Sequence, residues 1–162
     1  MVGRRIVGPA HLLCVSIALL ACLSVSCRSI PPLPPADLSN PGWQIQQGQA
    51  VWRPTKNRPE LAGEILLATN SAGGFFAQFS KTPFTLATAQ VMDGTWQIEF
   101  GAGEHVWRGR GEPPARFVWF QLPRAFAGKS LSQHWKFNQA ETNFWRFESR
   151  RTGETLEGSF AP

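Results

Sequence analysis

The chain has 162 residues, enough for about one domain. Its hydrophobic fraction is 43% and its charged fraction 17%, which suits a buried core and excludes a wholly disordered chain. A formal charge of +5, with 3 His and 3 Cys against 12 Phe and 7 Trp, leaves it poor in catalytic side chains and rich in aromatics.

Arg4 and Arg5 are the only charges before Arg28, and Ile6 to Ser26 is mostly apolar. That run is nearly long enough to cross a bilayer, so a membrane anchor has to be weighed. Gly8, Pro9, His11 and the small residues near its end favour a secretory signal instead. Leu19-Leu20-Ala21-Cys22 resembles the lipobox of bacterial lipoproteins. The resemblance implies cleavage of residues 1–21 and lipidation of Cys22. Ser24-Val25-Ser26-Cys27 is the second candidate, weaker because Ser replaces Leu at its −3 position. Leu23 or Arg28 follows the candidate cysteine, and neither is Asp. In the enterobacterial sorting pattern this implies an outer-membrane, periplasm-facing anchor, with inner-membrane anchoring or secretion as alternatives. No Cys follows Cys27, so the domain is expected to have no disulfide and no thiol nucleophile.

Residues 22–41 read as a lipidated start and a spacer. Pro31, Pro32, Pro34 and Pro35 favour an extended, semi-rigid polyproline stretch. Its expected task is to hold the domain off the membrane.

Residues 42–162 alternate short apolar runs with turn residues, which predicts antiparallel β structure. Trp43 to Trp52 is the opening strand, with a bulge expected where its apolar phase slips near Gly48. Leu61 to Thr69, Phe75 to Ser80 and Phe84 to Val91 follow. Asp93-Gly94 then turns the chain into Trp96-Gln97-Ile98-Glu99-Phe100. Trp96, Ile98 and Phe100 share one face of that strand, and Gln97 and Glu99 the other. His105 to Arg110, Trp135 to Phe137, Phe144 to Glu148 and Glu154 to Phe160 complete the set. Eight or nine short strands exclude a parallel βαβ plan.

Residues 113–128 break this pattern. Pro113 and Pro114 suit a helix start, and Trp119, Leu122 and Phe126 fall on one helical face. Pro123 is expected to interrupt any regular helix. The predicted fold is a curled antiparallel sheet or unclosed β-barrel with one short helical cover, a sandwich being the alternative.

Catalytic patterns are thin. His105 and His134 match no metal-ligand spacing, and Glu104 and His105 point to opposite faces of a strand. Ser130, Ser132 and His134 lack a nucleophile-elbow context, and Gly101-Ala102-Gly103 is not a phosphate loop. No cofactor or metal is predicted, and a small hydrolase is the least favoured class. Arg108 with Arg110, Arg146 with Arg150, and Arg116 with Arg124 form basic groups. In an exported protein these suit anionic headgroups or cell-wall polymers rather than nucleic acid.

The aromatics have two readings. They fill a solid core at low entropic cost, or they partly line an apolar groove. A groove would lie between the concave sheet face and the 117–126 cover. Its expected walls are Trp96, Ile98 and Phe100 on the sheet and Trp119, Leu122 and Phe126 on the cover.

Leu19 to Cys22, the opening strand Trp43-Gln44-Ile45-Gln46-Gln47-Gly48, the Leu122-Pro123 break after an aromatic run, and the closing hairpins occur in a telling order. That order resembles the LolA/LolB lipoprotein-localisation family, over about residues 42–160. The resemblance implies an unclosed barrel with an internal helical cover and an interior that binds acyl chains. It implies a non-enzymatic envelope lipoprotein, held to the membrane by its N-terminal lipid, whose partners are acyl chains or other lipoproteins. The competing expectation is an envelope interaction module with a solid core and no ligand.

Overall fold

The computed structural model describes residues 30–101, 103–140 and 143–162. Cys22, Cys27 and the predicted signal lie outside the described residues. The chain divides into two units, Met1–Pro31 and Pro32–Pro162. No helix among the described residues is long and apolar enough to cross a membrane.

The described part of the second unit forms nine strands: β1 (Trp43–Arg53), β2 (Leu61–Asn70), β3 (Phe75–Lys81), β4 (Phe84–Met92), β5 (Thr95–Phe100), β6 (His105–Arg110), β7 (Trp135–Gln139), β8 (Phe144–Ser149) and β9 (Thr155–Phe160). All pair antiparallel in one sheet of order β6-β5-β4-β3-β2-β1-β9-β8-β7. β6 and β7 are its two edges, so the sheet is unclosed. The predicted mainly-β class and strand set are what the chain adopts.

The turns follow from their residues. Asp93 and Gly94 have φ of 49° and 68°. Two successive positive φ values match the right-handed twist of the hairpin they join, and Asp-Gly tolerates them. The segment between the two edges carries a 3₁₀ turn, Val118–Phe120, and a single helix α1, Leu122–Phe126. The cover thus starts four residues after Pro114, not at the paired prolines. Pro123 does not interrupt α1 either. It sits in the first turn, where a helix has no partner for the missing N–H.

The bulge expected near Gly48 is absent, since β1 keeps one register with β2 from Trp43 to Trp52. The irregularity lies instead in the β3–β4 pair, at Phe79 and Ser80. The apolar phase of β1 changes because its inward residues change task. Ala50 and Trp52 enter the core, whereas Gln44 and Gln46, on the same face, lie beyond the end of β9. At Gly48 the backbone of Ser159 comes so close that any Cβ would collide with its carbonyl oxygen.

The interior is an aromatic solid. The Trp52 ring stacks on Phe100 at 5.7 Å and meets Trp119 edge-on at 5.3 Å. A second cluster under β7–β9 joins Phe126 to Phe137, Trp145 and Phe160. Ring pairs of this kind add about 0.5–1.5 kcal/mol each beyond the area they bury.

The proline-rich segment is not free of the domain. Leu33 donates its backbone N–H to Gln97 Oε1 at 3.0 Å, and Gln90 Nε2 donates to the Pro34 carbonyl at 3.3 Å. Leu33, Pro35, Ala36 and Leu38 line a space of about 510 Å³ together with Leu66 and Phe76 of the outer sheet face. Gln97 and Gln90 are buried there, although Gln97 lies on the face of β5 opposite Trp96, Ile98 and Phe100. The strap of residues 33–38 supplies the difference.

Candidate functional site

A groove of about 580 Å³ opens between the sheet and its cover. It lies at the end of the sheet where β1 begins and β2 ends. The register explains its position. Gln44 pairs with Thr69, Thr69 with Phe75, Phe75 with Val91, and Val91 with Trp96, so these residues run in one row across five strands. The groove follows the first four positions of that row, with Leu67 and Gln46 one step further along. Phe120 and Phe126 face them from the cover. One wall is therefore apolar and aromatic. The other, on β1, is amide.

The predicted site residues separate. Ile98 and Leu122 are 0% exposed and Trp119 is 1% exposed. They belong to the filled core, with Trp96 and Phe100 packed beside it. Trp96 makes an edge contact with Phe120 at 5.9 Å, and Phe100 is covered by Trp52. Of the six, Phe126 alone lines the groove. The 117–126 cover does lie over the sheet, but rings from β1, β3 and β5 occupy the space beneath its first half. Room is left only beside Phe120 and Phe126.

Gln44, Gln46, Phe75 and Phe120 were not anticipated as walls. For the two glutamines the signal was present in β1, where they occupy the inward parity of Ala50 and Trp52. Polar residues at inward positions of a strand mark a place where the interior is wet or occupied.

Charge at the groove is one-sided. Arg124 and Lys129 line it, and no carboxylate does. Arg124 is fixed by three hydrogen bonds. Its Nε and Nη2 donate to the Ser130 carbonyl at 3.2 and 3.1 Å, and its Nη1 donates to Glu112 at 2.8 Å. The Glu112 side chain is exposed, so solvent screens that pair.

A smaller pocket of about 200 Å³ adjoins the groove and shares Pro113, Phe120 and Arg124 with it. Gln121, Ser130 and Ser132 complete its polar side. Gln121 is 3% exposed, and its Oε1 has no hydrogen-bond partner. A buried amide oxygen left unpaired costs about 1–3 kcal/mol.

The remaining basic residues lie elsewhere. Arg108 and Arg110 pair with Gln97 and Thr95 on the β6 edge, and Arg146 bridges to Glu157. Among the described residues no group of three or more metal-capable side chains converges. Comparison with known proteins finds no family model and no curated relative that matches the chain.

Proposed function

We propose that the chain is a non-enzymatic lipoprotein of the bacterial envelope, anchored by an N-terminal lipid, that holds an acyl chain in the groove between β1–β4 and α1. The observation that carries this reading is the groove itself, walled by Leu67, Phe75, Val91, Phe120 and Phe126 and open to solvent. Its size sets the stoichiometry. A dry cavity of ~150 Å³ takes one six-carbon benzene, or roughly 25 Å³ per carbon. On that scale the groove's 580 Å³ suits one acyl chain and not two or three. The lipobox-like cysteines and the resemblance to the LolA/LolB family support a periplasm-facing outer-membrane site and a ligand drawn from lipids or lipoproteins.

The test is binding of a fluorescent fatty acid by the full chain. Ala127 lines the groove from an exposed position, so Ala127→Trp adds bulk without entering the core. The variant should bind about tenfold more weakly and unfold at the parent's midpoint. Failure of the parent to bind, or equal binding by the variant, overturns the reading.

A second reading is an envelope interaction module that takes no ligand. The filled interior around Trp52, Phe100 and Trp119 favours it. Under this reading no acyl probe binds, and the groove is a surface feature.

A further inference from the structure

We infer that the groove and the small pocket beside it form one composite site for a single-chain amphiphile with an anionic, hydroxyl-bearing headgroup, of which a monoacyl glycerophospholipid is the type. This rests on the acyl-chain reading above and goes further, because it names the chemistry of the head.

Three observations converge. The two spaces meet at Arg124, which lines both. A tail lying against Phe75 and Phe126 therefore brings its polar end to a guanidinium. The guanidinium is also pre-positioned. Its three hydrogen bonds occupy three of its five N–H donors, which leaves two for an incoming oxyanion. Arginine in this state binds phosphate or carboxylate with geometric selectivity and little further loss of freedom. The third observation is Gln121, a buried residue of the polar pocket's lining whose amide oxygen, enclosed behind that wall, has no hydrogen-bond partner and would need a small side-chain shift to meet a donor in the pocket. An acceptor needs a donor, and an anion alone does not supply one. A glycerol hydroxyl next to a phosphate does. Ser130 and Ser132 add hydroxyls to the same wall.

Glu112 gives the opposing term. It is the one carboxylate on the small pocket and shares Arg124 with any ligand. Its removal should strengthen anion binding, whereas loss of Arg124 should weaken it. Opposite signs at two partners of one ion pair separate ligand recognition from damage to the fold.

The experiment titrates the full chain with three probes of matched tail: palmitoyl-lysophosphatidylglycerol, palmitate and monopalmitoylglycerol. The phospholipid should bind tightest, palmitate next, and the uncharged glyceride about ten- to hundredfold more weakly than the phospholipid. Arg124→Gln should weaken both anions about tenfold and leave the glyceride unchanged, and Glu112→Gln should tighten both anions. Gln121→Met should erase the preference for the phospholipid over palmitate. Equal binding of all three probes by the parent overturns the headgroup site and leaves the acyl reading standing. Palmitate binding as tightly as the phospholipid overturns the role of Gln121 and makes a free fatty acid the source of the anion. Absence of binding by every probe overturns both.

Discussion

The indole Nε1 of Trp52 donates a 2.9 Å hydrogen bond to the Glu154 carboxylate, across 102 residues of sequence. The bond ties the end of β1 to the turn before β9. Trp52 also anchors the ring cluster over Phe100 and Trp119, so the carboxylate sits at the margin of the core.

Burial pushes the Glu154 carboxyl up from 4.5 to about 7, and the bond from Trp52 opposes that rise only in part. The unfolded chain gives up this proton near 4.5, while the folded chain keeps it until about 7. Between those values the native state binds more protons, so the contribution of Glu154 to stability falls as pH rises through the window and is level on either side. Glu154→Gln keeps an acceptor for Trp52 and removes the charge. At pH 8 the variant should be more stable than the parent by about 1–3 kcal/mol, with no gain at pH 4. Urea midpoints at the two pH values check this, and a gain of equal size at both would show that charge is not the cause.

Ile98 is fully buried opposite Ala89 and Trp107, in a part of the interior already filled by rings. Ile98→Phe should overpack it and cost about 1–3 kcal/mol. Ala127→Trp, at the rim of the groove, should leave stability within about 0.5 kcal/mol. Thermal unfolding of the two variants therefore maps which space is filled and which is open. Equal tolerance of both would place free volume in the core.

Gln97 holds the strap through its bond from Leu33. Gln97→Ala should cost about 1 kcal/mol and make residues 33–38 more susceptible to proteolysis. The readout is the cleavage rate of that segment under conditions where the β domain stays intact. An unchanged rate would mean that packing of Leu33 and Leu38 alone secures the strap.

For the anchor, Cys22→Ser should abolish metabolic labelling by fatty acid. Labelling that persists there and vanishes with Cys27→Ser would move the lipid to Cys27. Labelling unaffected by both changes would remove the lipoprotein reading.

The strands were legible because their signals are local. Trp96 to Phe100 alternates cleanly, and Asp93-Gly94 announces its hairpin. The sheet order was not legible, since Gly48 pairs not only with Ile65 of the next strand but also with Phe160, at the far end of the chain. The groove inherits that limit. Trp119 and Leu122 carry the right residue types at the right helical spacing, yet whether they face space or rings is decided by Trp52 and Phe79 on other strands. Pro123 misled in a simpler way. A proline is read as a breaker in mid-helix and as an initiator at a start, and the start lay one residue before it.

β1 comes first among the nine strands and yet lies inside the sheet, with β9, the last, along its second edge. β1 to β6 form a meander of neighbouring hairpins, so their contacts close short loops and assemble quickly. The seam between β1 and β9 closes a loop that spans nearly the whole domain, and its closure costs more chain entropy than that of any hairpin in the meander. Without β9 the second edge of β1, from Gly48 to Arg53, has no strand to pair with. Such an edge recruits any strand that meets it. A polypeptide emerging amino end first carries this adhesive margin until its ninth strand arrives.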